Sequence, residues 1–147
     1  MRRTARLATA TLISLTTVAR AQSGPHSPCH LAWSDAASSC AFEVVEVAKP
    51  ISVRVVSGTI ANEGGGAWPS GVDVTVELVS STDPSVRYTS RATLPSGAFN
   101  VEHVAAGSYC FRVAVRPPGW TCVQGRVVVS ATAPPKSRLD VTVPLGR

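Results

Sequence analysis

Val72-Asp73-Val74-Thr75-Val76-Glu77-Leu78 places an apolar side chain at every second position. Successive side chains of an extended backbone point to opposite faces, so this period belongs to a strand with one dry face and one wet face. The pattern returns in Tyr109, Phe111, Val113 and Val115, leaving Cys110, Arg112 and Ala114 on the face away from the core. It returns again in Val123, Val127 and Val129, with Cys122, Gln124 and Arg126 opposite, and in Leu139, Val141 and Val143.

Between these runs the chain is punctuated. Glu63-Gly64-Gly65-Gly66 and Ser80-Ser81-Thr82-Asp83-Pro84 read as loops, and Pro95-Ser96-Gly97 and Ala105-Ala106-Gly107 as turns. Val86 to Leu94 is a more polar strand, expected near a sheet edge. Phe99 and Val101 share the inward phase of another. Ile51, Val53 and Val55 share one phase, but Val55-Val56 mixes phases, which predicts a bulge or a change of face there. Seven or eight short strands without an amphipathic helix define an all-β sandwich.

The chain has 147 residues, and the first 21 are read as an export signal. Met1-Arg2-Arg3 is a basic start, Leu7 to Val18 a short apolar run, and Ala19-Arg20-Ala21 a small-x-small cleavage site. The apolar run is shorter than the roughly 20 residues that span a bilayer. The whole chain carries 14 Lys+Arg against 9 Asp+Glu, but Arg2, Arg3, Arg6 and Arg20 lie in the signal. Without them the balance is ten against nine, a net of +1. Nucleic acid is therefore not an expected partner, since that needs a clustered basic face. No membrane insertion is expected once the signal is removed. The expected address is secreted or periplasmic.

Four cysteines, Cys29, Cys40, Cys110 and Cys122, follow the signal and read as two disulfides. Of the three connectivities, Cys29–Cys40 with Cys110–Cys122 is the expected one. The first closes a short loop, and the second joins non-core positions of strands expected to be neighbours. Zinc is disfavoured, because no CxxC pair exists and only His26 and His30 lie nearby. The organisation expected is a signal over 1–21, an extension over 22–50 holding the Cys29–Cys40 loop, and the sandwich over 51–147.

Gly58-Thr59-Ile60, a loop, and Pro69-Ser70-Gly71-Val72-Asp73-Val74 resemble the opening of carboxypeptidase regulatory-like domains. Thr93 to Phe99 is similar to that family's Thr-Asp-x-x-Gly-x-Phe turn, with Leu94 where the family has Asp. Phe99-Asn100-Val101-Glu102-His103-Val104-Ala105-Ala106-Gly107-Ser108-Tyr109 resembles its strand, turn and Gly-x-Tyr. The resemblance implies a prealbumin-like, seven-stranded Greek-key sandwich, grouped with carbohydrate-binding-like folds. Such modules accompany peptidases, outer-membrane receptors and surface proteins. A fold of this kind does not assign a function by itself.

No catalytic motif is found. HExxH, GxSxG and Walker patterns are missing, and Gly64-Gly65-Gly66 lacks the lysine a phosphate loop needs. An enzyme reading would need His103, a carboxylate and an arginine gathered in one pocket. The expected function is thus a secreted, non-enzymatic β-sandwich acting in protein interaction or as a structural element, with no cofactor or metal. The alternative is a carbohydrate-binding module that stacks sugars on loop tryptophans, Trp68 and Trp120, with Trp33 and Tyr88 as further exposed candidates; against it stands the simpler reading, favoured here, that each tryptophan caps an open end of the sandwich. The partner expected is a protein or glycan at the cell envelope.

Overall fold

Nine strands and no helix make up the described residues, which in this computed structural model are Cys29, Cys40, 44–117 and 119–146. The strands are β1 (Val44–Glu46), β2 (Ile51–Val53), β3 (Val56–Asn62), β4 (Asp73–Ser80) and β5 (Arg87–Arg91). They continue with β6 (Ala98–Val101), β7 (Gly107–Arg116), β8 (Cys122–Val129) and β9 (Val141–Val143). The larger sheet runs β1-β8-β7-β4-β5, with β2 also on β8, and the smaller runs β6-β3-β9. The signal and Trp33 lie outside the described residues. No helix among the described residues is long and apolar enough to cross a membrane.

The alternating residues do what their spacing predicts. Val74, Val76 and Leu78 of β4 are fully buried, and the register sets them against Val115, Val113 and Phe111 of β7. Phe111 in turn lies opposite Gly125 of β8, where a Cβ would come within 2.8 Å of the ring. Glycine leaves the room that the ring takes up there. Ile60, Phe99, Val141 and Val143 of the smaller sheet close the core from the other side. Each such side chain contributes about 1.5–3 kcal/mol by leaving water.

The mixed phase at Val55 marks a change of sheet. β2 pairs parallel with β8 in the larger sheet, whereas β3 pairs with β6 and β9 in the smaller. The two are separated only by Arg54 and Val55, so the chain crosses between layers in one step. On the same edge, β1 and β2 both run parallel to β8, at Cys122–Gln124 and at Val127–Val129. They form one edge interrupted at Pro50, which has no N–H for a ladder. Counted as one, they bring the nine segments to eight, one more than the resemblance implies. The sheet also begins before residue 51, because β1 belongs to it.

The disulfide pairing expected from sequence is corrected. Cys29 is bonded to Cys110 and Cys40 to Cys122, with Cα–Cα distances of 5.5 and 5.7 Å. Cys110 and Cys122 do share the outer face of neighbouring strands. However, Cys110 stands opposite Arg126, and the ladder from Val113↔Val123 places Cys122 opposite Ala114. Four positions at about 3.3 Å each leave the two far apart along the strands, beyond the ~7 Å Cα limit for a disulfide. Each bond instead ties the N-terminal extension to the sheet, spanning 81 and 82 residues.

Candidate functional site

Three regions gather polar or aromatic side chains that the core does not require. The first is the end of the sandwich beside Trp68. Its indole Nε1 donates to the Ile60 carbonyl at 2.7 Å, and the residue is 4% exposed. Gly97 makes this fit, since its φ of 80° is left-handed and a Cβ there would overlap the Ile60 carbonyl. Trp120 tilts against Trp68 at 5.0 Å between ring centroids and 57° between planes. Trp68 is thus a buried plug with a satisfied N–H, which fits a cap on the sandwich rather than a ring exposed for stacking, and Trp120 is half-buried. Tyr88 is also half-buried and packs edge-on against Tyr109 at 5.9 Å. Tyr109 donates its hydroxyl to the Ala105 carbonyl at 2.6 Å, and burial, then Tyr88, pushes its pKa up.

The second region flanks the strand switch. Val55 is 56% exposed, and a depression lies on either side of it. One, of about 370 Å³, is shared with Asn100, Glu102, His103 and Val104. The other, of about 560 Å³, is shared with Ser57, Pro135, Lys136 and Arg138. Arg54 borders both, and its Nε donates to the Ala133 carbonyl at 2.6 Å. Arg138 donates to Thr59 Oγ1 at 2.9 Å and lies 3.5 Å from Asp140. The Asp140 carboxylate also accepts from the Thr59 N–H.

His103, a carboxylate and an arginine do meet in the first depression, as an enzyme reading would need. His103 sits on the turn after β6 at a left-handed φ of 58°. Among the described residues neither His103 nor Glu102 makes a hydrogen bond or ion pair. A general base needs an orienting partner, and the described residues give this imidazole none. The groove offers fixed cations beside an apolar crest, which suits binding. Nor do the described residues hold any group of three or more His, Cys, Asp or Glu placed for a metal ion.

The third region is the outer face of the larger sheet. Register aligns Glu77, Arg112, Gln124 and Glu46 in one row across β4, β7, β8 and β1. Arg112 is 5% exposed and Gln124 is also buried. Burial lowers the Arg112 pKa, and the Glu77 carboxylate works against that shift. The row lies between the Cys110 and Cys122 positions, so a buried cation sits between the two cross-links. Alternation assigned Arg112 and Gln124 to the non-core face correctly but gave no sign that this face is buried.

No family model matches the chain, and no curated protein matches it.

Proposed function

We propose that the chain is a secreted or periplasmic, non-enzymatic β-sandwich module that binds another protein at the cell envelope. In this reading residues 1–21 are removed on export, and the rest is organised as in the carboxypeptidase regulatory-like domains it resembles. The two disulfides support an oxidising compartment. The observation that carries the binding role is Val55, an exposed β-branched residue set between two grooves and bordered by Arg54, Lys136 and Arg138. An apolar crest with a charged rim matches the anatomy of protein contact sites.

The test is chemical cross-linking of the exported chain in its native envelope, followed by mass spectrometry, with Val55→Asp and Lys136→Glu as controls. A partner cross-linked through Lys136 and lost with Val55→Asp is the expected result. An unchanged cross-link pattern in both variants counts against the groove. Of the two loop tryptophans the carbohydrate-binding alternative keeps Trp120, because the Trp68 ring is buried. It predicts a fluorescence change on titration with oligosaccharides that Trp120→Ala removes.

A further inference from the structure

Among the described residues β5 is the outer strand of the larger sheet, paired only with β4. Its two ends fix which backbone groups are used. Ser80 N–H bonds the Val86 carbonyl, and Ala92 N–H bonds the Val74 carbonyl. Antiparallel ladders alternate bonded and non-bonded pairs. With Val79↔Arg87 and Thr75↔Arg91 in register, the even-numbered residues of β5 bond β4. The N–H and C=O groups of Arg87, Thr89 and Arg91 therefore point away from the sheet. Their side chains are exposed, while Tyr88 and Ser90 between them are half-buried. On the inner face the Ser90 hydroxyl donates to the Asn100 carbonyl at 2.9 Å, and beyond Arg91 the edge is closed, because Thr93 bridges Ala98.

We propose that this edge accepts an added strand from an acidic partner segment, a contact separate from the groove at Val55. The charges choose the occupant. Two copies of this chain pairing antiparallel about Thr89 would set Arg87 against Arg91 twice. Like charges directly opposite destabilise a strand pair, and opposite charges stabilise it. A segment of the form acidic-x-Thr-x-acidic places a carboxylate opposite each arginine in either strand direction. Arg91 is within 3.7 Å of Asp73 and Arg87 Nε donates to the Pro84 carbonyl at 3.1 Å, but both side chains are exposed, that of Arg91 to 78%, so neither engagement removes its guanidinium from an incoming carboxylate. Main-chain bonds supply affinity in such additions, and alternate side chains supply selectivity.

The experiment titrates the exported, oxidised chain with a fluorescent Ser-Glu-Val-Thr-Val-Glu-Ser peptide and with its double-Lys counterpart. The acidic peptide binds and the basic one binds at least tenfold more weakly, because two facing pairs change sign. Arg87→Glu with Arg91→Glu reverses the preference. Thr89→Pro abolishes binding of both peptides while leaving the thermal transition in place, since the lost N–H is not one that β4 uses. Equal affinity for both peptides, no affinity for either, or undiminished binding by a folded Thr89→Pro variant overturns the proposal. So does a wild-type dimer that Thr89→Pro dissolves, which would make a second copy the occupant. Val55→Asp leaves peptide binding unchanged, so failure here and failure at the groove are told apart.

Discussion

β7 shows the same strand buried twice, for different reasons. On its inner face Tyr109, Phe111, Val113 and Val115 lie in a shared apolar core. On its outer face Cys110, Arg112 and Ala114 are nearly as inaccessible, yet two of the three are not ordinary core residues. The inner face is buried because its side chains prefer each other to water. The outer face carries a disulfide, a guanidinium and an amide row. It is also the face to which Cys29 and Cys40 are bonded.

The largest effect expected tests the inner face. Phe111→Ala removes the ring over Gly125 and leaves a cavity with no side chain behind it, costing about 3–5 kcal/mol, read as a lower denaturation midpoint. A loss under 1 kcal/mol would mean that the two sheets collapse onto the gap. Next comes the outer face. Replacing Cys29 and Cys110 together by Ser costs about 2–4 kcal/mol, since the bond closes a long loop. Denaturant unfolding with and without reductant checks this: the wild type should lose stability on reduction, and the double variant should lose less. The smallest effect separates charge from cross-link. Glu77→Gln weakens the row around Arg112 and costs about 1–3 kcal/mol, whereas Arg112→Met, which removes the buried cation altogether, costs less or nothing. The reverse order would make the guanidinium itself the stabilising partner.

The inner face was legible because the period of two is written in the residues themselves. Val72 to Leu78 and Tyr109 to Val115 could be assigned to a face without knowing their neighbours, and the mixed phase at Val55-Val56 announced a bulge or change of face, though not that the chain changes sheet there. The polar composition of Val86 to Leu94 likewise placed that strand at an edge. Register was not legible. Cys110 and Cys122 were put on the correct face, but their offset along the ladder depends on how β7 and β8 slide past each other. Nor does alternation say what covers a face, so Arg112 and Gln124 gave no sign of their burial. The loop position of Trp68 is visible in sequence and allowed either a cap on the sandwich or a ring offered to a sugar, while the Ile60 carbonyl that receives its N–H and fixes it as a cap is not visible.

The covalent route through the molecule also sets how it would carry tension. A pull applied ahead of Cys29 and at the C-terminus runs across the Cys29–Cys110 bond straight into the middle of β7, then on through β8 and β9. Tension along that line bypasses the chain between Cys29 and Cys110. The edge of β5 lies within that stretch and would keep its shape in a chain stretched end to end, whereas the groove at Val55 shares Pro135, Lys136 and Arg138 with the loaded line and would open under tension.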